Sequence, residues 1–81
     1  MECVLLLNDD QTPMDFVVDV IETVFDIDFE SAEHLMLRVH NEGAAECGIY
    51  PYEQAKAKAT QVADLAREHQ HPLQAVIERK R

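Results

Sequence analysis

The junction between an aliphatic run and an amphipathic helix most constrains what this chain can fold into. The aliphatic residues Val4 to Leu7 are typical of a short buried strand, and the polar residues Asn8 to Asp10 follow at its carboxyl end. Thr12 fits a helix N-cap, Pro13 the first helical position, and Asp15 the third position of a capping-box-like start. Because α/β sheets usually bind ligands at the carboxyl ends of strands, this turn is the first candidate site.

Hydrophobic periodicity predicts the remaining elements. In the first half of the chain we expect a strand at Val4–Leu7, a helix from Pro13 to about Phe25, and a second helix that is capped by Asp28, runs to about His40 and is terminated by Gly43. In the second half we expect a strand at Glu46–Tyr50, a helix from Tyr52 to about His69, a strand at Leu73–Ile77 and a charged tail at Glu78–Arg81. This order, β-α-α-β-α-β, predicts an α+β fold in which three helices cover one face of a small three-stranded antiparallel sheet. With 81 residues, the chain is expected to form a single domain, residues 1–81.

The charge of the chain limits its partners. Seven basic against sixteen acidic residues give a net charge of −9, which would repel phosphate backbones and anionic lipids. We therefore expect no nucleic acid and no membrane as partners; a cationic or amine-bearing partner fits better, and an acidic surface that serves only solubility remains an equal alternative. No apolar run is long enough to span a bilayer and no signal sequence opens the chain, so a cytoplasmic location, in a bacterial cytosol or an equivalent organelle compartment, is expected.

The motifs of common enzyme classes are missing from the sequence. The only glycines, Gly43 and Gly48, are too few for a phosphate-binding loop, and the only serine, Ser31, lies on a predicted helix without an elbow motif. Cys3 and Cys47 match no disulfide or zinc pattern and are typical of small buried strand residues. We therefore expect no cofactor and no nucleotide site.

Two histidine constellations leave alternatives open. His69 and His71 lie two residues apart, a spacing found in some metal sites, but no third ligand is near them in sequence, so we expect no metal. Asp9, Asp10 and His40 could serve as acid, base or metal ligands of a small hydrolase, and turn-forming aspartates explain the same residues at least as well.

Four segments together resemble one protein family. The runs LLLNDDQTPMDFVVDVI, LMLRVH, ECGIY and REHQHPL occur in the order and spacing of the ClpS adaptor family, and the likeness covers nearly the whole chain. The resemblance implies a protein that is not an enzyme. It implies an adaptor that binds the free N-terminal residue of N-degron proteins, preferably Leu, Phe, Tyr or Trp, and delivers them to a Clp ATP-dependent unfoldase and protease.

The resemblance also implies site residues. Asn8, Asp9 and His40 match the positions that receive the α-amino group of the substrate. The side-chain pocket matches Asp10, Thr12, Met14, Val17, Met36, Val39 and Leu73, with Met14 at the position that crowds a branched Cβ. Without the resemblance, Met14 and Met36 would be read as core residues.

The resemblance implies that Glu53 and Lys58 dock to the N-terminal domain of the Clp AAA+ unfoldase. The alternative is that both belong to an ordinary solvent-exposed helix face, since single exposed charges usually contribute little. Gln11 and Arg38 depart from the family pattern and could alter contacts at the rim of the pocket. We expect a monomer. A different small protein-interaction module, such as a ribosomal-stalk-like domain, is the alternative of another class.

Overall fold

The structure is a computed structural model that describes residues 1–79. Its elements are β1 (Glu2–Leu7), α1 (Met14–Phe25), α2 (Phe29–Glu42), β2 (Ala44–Tyr50), α3 (Tyr52–Glu68) and β3 (Gln74–Arg79). The strands form one antiparallel sheet in the order β2-β1-β3. The predicted α+β class, element order and three-stranded antiparallel sheet are confirmed.

The central strand β1 pairs with both other strands and so sets their register. Val4 and Leu6 are completely buried on one face of the sheet, as the period of two in a strand requires. At its carboxyl end Leu7 pairs with Ala44 of β2 and with Gln74 of β3, so three chain segments meet at this edge. Between Val4 and Leu5 the register with β2 shifts, which leaves one extra residue, Cys47, in a bulge of β2.

The helices pack on the face of the sheet that carries Val4 and Leu6. Helix α1 contributes the widest apolar stripe, whereas α2 and α3 contribute mostly small residues that allow close approach. The buried helical residues are Val17, Val18, Val20, Ile21, Val24 and Phe25 of α1, Ala32 and Val39 of α2, and Ala55, Val62 and Ala66 of α3. This single core holds the ends of β1, α1 and α2 in fixed positions.

The predicted ends of α2 are confirmed, and the predicted start of α1 is wrong. The Asp28 carboxylate accepts a hydrogen bond from the Ser31 N–H at 3.4 Å, and Gly43 ends α2 in the left-handed region at φ 89°. In α1, however, Pro13 is extended and precedes the helix, which begins at Met14 without a side-chain cap. Thr12 does not cap the helix because Pro13 occupies the N-cap position, and its hydroxyl donates to the Asp9 carboxylate.

The strands differ from the predicted bounds. Strand β2 begins at Ala44, two residues before the expected start, because Ala44 and Ala45 pair with Leu7 and Leu6. Strand β3 runs from Gln74 to Arg79, so part of the expected charged tail is strand. The last two residues of that expected tail, 80 and 81, lie outside the described residues. Within residues 1–79, no helix combines the length and the hydropathy that crossing a membrane requires.

Candidate functional site

The turn after β1 is held by short hydrogen bonds. The Asn8 N–H donates to the Gly43 carbonyl at 2.8 Å, which ties the turn to the end of α2. The Thr12 N–H donates to the Asp9 carbonyl at 3.3 Å, and the Thr12 hydroxyl donates to the Asp9 carboxylate at 2.6 Å. Because Thr12 is itself buried, this second bond fixes the direction of the Asp9 carboxylate.

A cavity of about 100 Å³ opens beside this turn. The lining comes from four parts of the chain: the end of β1 and its turn, the start of α1, the last two turns of α2, and the residue before β3. The lining residues are Leu7, Asn8, Asp9, Asp10, Thr12, Met14, Val17, Met36, Val39, His40 and Leu73. All ten residues that the sequence suggested for the α-amino site and the side-chain pocket are therefore brought together in one cavity.

The cavity has an apolar interior and a polar mouth. Val17, Val39 and Leu73 are buried, with 6%, 2% and 3% of their surface exposed. Asn8 and His40 are exposed at the mouth. Such a cavity can enclose a small apolar group, as an apolar cavity of about 150 Å³ in another protein encloses benzene, while its mouth offers hydrogen-bond acceptors.

Met14 and Met36 form part of the rim. Met14, the first residue of α1, is 46% exposed, and Met36 is half-buried on α2. The sequence left open that both are core residues. Met14 lies outside the core, whereas Met36 is partly buried and packs against it. Both side chains lie where they can contact a ligand that enters the cavity.

Glu53 and Lys58 lie away from the cavity, on α3. Glu53 is exposed in the first turn of that helix. Lys58 is half-buried, its ammonium donates to the Val24 carbonyl at 2.8 Å, and it lies 5.7 Å from the centre of the Tyr50 ring. Five residues along a helix correspond to a rotation of about 140°, so the two side chains leave α3 in different directions. Lys58 therefore stabilises the end of α1, whatever else it contacts.

The other candidate residues have local roles. His69 and His71 contact the Phe16 ring, with centroids 5.3 and 4.6 Å away, and hold the loop before β3 against α1. Across residues 1–79 no three His, Cys, Asp or Glu side chains are grouped as metal ligands. Burial raises the pKa of the Cys47 thiol to about 12, which disfavours the thiolate that a nucleophile requires.

The family model for the ATP-dependent Clp protease adaptor protein ClpS matches residues 1–76 of this chain. The chain belongs to the ClpS family. Among curated relatives, the ClpS 2 adapter protein of Rhodopseudomonas palustris is 58% identical over 77 residues, which are 95% of this chain and 71% of that protein. The ClpS 1 adapter protein of Rhizobium meliloti is 57% identical over 77 residues, 95% of this chain and 66% of that protein.

A solved ClpS structure has the same fold. Agrobacterium tumefaciens ClpS2 bound to L-phenylalaninamide superposes with a TM-score of 0.95 at 33% identity, over 98% of this chain and 95% of that one. The resemblance read from the sequence is thus confirmed at the level of the family and of the fold.

Sequence reasoning missed one lining residue and one contact of this ClpS cavity. Leu7 was assigned only to the strand, although its position directly before Asn8 places it at the cavity. The hydrogen bond between Thr12 and Asp9 was also missed. The spacing of an aspartate and a threonine three residues apart in a turn could have indicated it.

Proposed function

We propose that this ClpS-family chain binds the free N-terminal residue of N-degron proteins in the cavity between β1, α1 and α2, and delivers these proteins to a Clp ATP-dependent unfoldase and protease. The observation that carries the proposal is the combination of a largely apolar interior with acceptors at its mouth. L-phenylalaninamide, the ligand of the Agrobacterium tumefaciens relative, has the chemistry of an N-terminal phenylalanine: a free amine, a benzyl side chain and an amide.

The polar mouth fits an α-ammonium group. An ammonium carries three N–H donors, and its transfer from water is costly unless acceptors and negative charge compensate for it. Asn8 offers an amide oxygen, Asp9 a carboxylate, and neutral His40 one ring nitrogen. An acetylated or internal residue lacks the ammonium, so the mouth selects chain ends.

The apolar interior supplies the other half of the binding energy. At roughly 25 cal/mol per Å² of apolar area, enclosing a leucine or phenylalanine side chain contributes about 2 to 3 kcal/mol. Val17, Val39 and Leu73 provide the buried surface for this contact. An N-terminal alanine has too little apolar area to reach that figure. Leu, Phe, Tyr and Trp are therefore the first residues we propose.

Met14 sets the shape of the accepted side chain. Its position at the rim brings it near the Cβ of a residue whose side chain enters the cavity. A branched Cβ, as in Val or Ile, would collide with it, whereas an unbranched Cβ would not. Thr12 and Asp10 complete this side of the pocket.

The delivery step requires a surface outside the cavity. We assign contact with the N-terminal domain of the Clp unfoldase to the α3 face that carries the exposed Glu53. Lys58 would take part only if its ammonium left the Val24 carbonyl to which it donates. Our proposal is a monomeric, cytoplasmic adaptor that performs no catalysis and binds no nucleic acid and no membrane, in keeping with a net charge of −9.

Fluorescence titration with short peptides tests the proposal. Peptides that begin with Leu or Phe should bind, an Ile peptide should bind more weakly, and an acetyl-Leu peptide should not bind. Replacement of His40, in His40→Ala, should weaken binding of the Leu peptide because one acceptor of the ammonium is lost. Equal binding of the Leu and acetyl-Leu peptides would overturn the proposed role of the mouth.

A further inference from the structure

The three methionines of this chain differ in where they lie and in how far solvent reaches them. Met1, which precedes β1, is 65% exposed and is not part of the cavity lining. Met14, the first residue of α1, is 46% exposed and lines the cavity. Met36 of α2 also lines the cavity, but it is half-buried and packs against the core. Met14 therefore combines access from solvent with a place at the proposed binding site.

Solvent access leaves the Met14 thioether open to attack on a peroxide. A methionine sulfur donates an electron pair to one oxygen of hydrogen peroxide, the O–O bond breaks, and the other oxygen leaves as water with both hydrogens. The sulfur is oxidised, the peroxide is reduced, and the product is methionine sulfoxide. A flexible apolar side chain thereby becomes polar and chiral. Two methionine sulfoxide reductases, one for each epimer, return the sulfoxide to the thioether.

A sulfoxide at Met14 changes the surface that an entering side chain meets. Val17, Val39 and Leu73 form the buried apolar part of the lining, and Met14 extends this apolar surface to the rim. The sulfoxide oxygen is a hydrogen-bond acceptor that water solvates. A leucine or phenylalanine side chain that packs against it must displace this water and offers no donor in return. Oxidation therefore opposes the entry of every apolar side chain, whether or not its Cβ is branched.

The two thiols of the chain are poorer targets for the same oxidant. Cys3 and Cys47 are only 3% and 8% exposed, and neither lines the cavity. Burial also raises the pKa of the Cys47 thiol to about 12, so the reactive thiolate is scarce at neutral pH. Among the sulfur atoms of this chain, the exposed one at the cavity belongs to Met14.

We infer, on the basis of the proposed function, that Met14 is a site of reversible oxidation by peroxide and that its sulfoxide hinders the binding of N-terminal residues. A bound chain end covers the rim, so peroxide modifies the free adaptor faster than an adaptor that already holds a substrate. Peroxide thus lowers the recognition of new substrates, and sulfoxide reductases restore it.

Peroxide treatment followed by peptide titration tests the inference. The native protein, Met14→Leu and Met36→Leu are treated for the time that mass spectrometry shows is needed to add one oxygen to Met14. A methionine-free peptide that begins with Leu is titrated into each protein before and after treatment. We expect affinity to fall by about tenfold in the native protein and in Met36→Leu, as when a polar group is buried without a partner. Treatment should not change the affinity of Met14→Leu, which retains Met36 and both cysteines.

Oxidation in the presence of the peptide gives a second arm. A saturating Leu peptide should slow sulfoxide formation at Met14 and leave its rate at Met1 unchanged, and reductase treatment should restore the native affinity. The inference is overturned by an equal loss in Met14→Leu, by full affinity in native protein whose Met14 is oxidised, or by a rate at Met14 that the peptide does not slow. In each case, binding of the Leu peptide before treatment leaves the proposed function intact. If no Leu peptide binds the untreated protein, both fail.

Discussion

At the scale of single residues, the mouth of the cavity is fixed by hydrogen bonds that form without a ligand. The Asp9 carboxylate accepts from the Thr12 hydroxyl at 2.6 Å, and the Asn8 N–H donates to the Gly43 carbonyl at 2.8 Å. A ligand therefore does not have to order the Asp9 carboxylate or the backbone of Asn8, which lowers the entropic cost of binding. Thr12 lines the cavity, and in the proposed site it would also act on the ammonium group through Asp9.

Thr12→Val tests this positioning role. Valine keeps the shape of threonine but cannot donate to the carboxylate, so Asp9 becomes free to rotate and to bind water. Because hydrogen bonds to charged groups contribute about 1.5 kcal/mol or more, affinity for a Leu peptide should fall by about tenfold. Fluorescence titration measures this, with Thr60→Val on the exposed face of α3 as the matched control. Unchanged affinity in Thr12→Val would show that Asp9 needs no donor.

Met14→Ala tests how the rim selects side chains. Removal of the long side chain should make room for a branched Cβ, so the ratio of Ile-peptide to Leu-peptide affinity should rise. Since Met14 is 46% exposed, the free energy of unfolding should change little. An unchanged ratio of the two affinities, measured by the same titration, would count against Met14 as the selecting residue.

At the scale of elements, local patterns identified every helix and strand, and strand pairing set the ends that the patterns could not. Ala44 and Ala45 carry little strand signal of their own, yet they pair with Leu7 and Leu6 of β1. Glu78 and Arg79 were expected in a charged tail, but β3 continues because β1 offers Cys3 and Glu2 as partners.

The same distinction applies to the site. The family motifs identified ten lining residues because these residues lie in the turn after β1, the first turn of α1, the last two turns of α2 and directly before β3, which the fold brings together. Contacts between distant residues were not readable from sequence. The bond from Lys58 to Val24 joins residues 34 positions apart, and no local pattern indicates it.

Lys58→Met tests how α3 holds α1. The Lys58 ammonium donates to a carbonyl in the last turn of α1, one of the groups that lack a partner within their own helix. Methionine retains most of the stem but not the donor, so the free energy of unfolding should fall by about 1 to 2 kcal/mol.

Urea denaturation measures this loss. Lys56→Met, an exposed neighbour on the same helix, should change stability by less than about 0.5 kcal/mol. Equal stabilities of the two variants would contradict the structural role of Lys58.

At the scale of the whole molecule, the burial of titratable groups links stability to pH. Burial raises the pKa of the Cys47 thiol from 9.0 to about 12. Between these values the unfolded chain releases the thiol proton and the folded chain keeps it. The thiol contribution to stability is therefore complete below about pH 9 and is lost as the pH rises toward 12.

Denaturation at pH 8 and pH 10 tests this link. The free energy of unfolding of the native protein should fall more steeply over this interval than that of Cys47→Ala, by up to about 1.4 kcal/mol per pH unit above pH 9. Tyr50, whose pKa burial also raises, remains in both proteins. Equal pH dependence of the two proteins would mean that the Cys47 thiol is not protected in the folded state.

The central claim is that one cavity receives both the ammonium and the side chain of a free N-terminal residue. The most direct test is an NMR titration with L-phenylalaninamide and with its N-acetyl derivative, followed through the methyl groups of Val17, Val39 and Leu73 and the side-chain amide of Asn8. We predict large shift changes at all four groups with the free amine and none with the acetylated compound. Equal changes with both compounds, or changes confined to α3, would contradict the account.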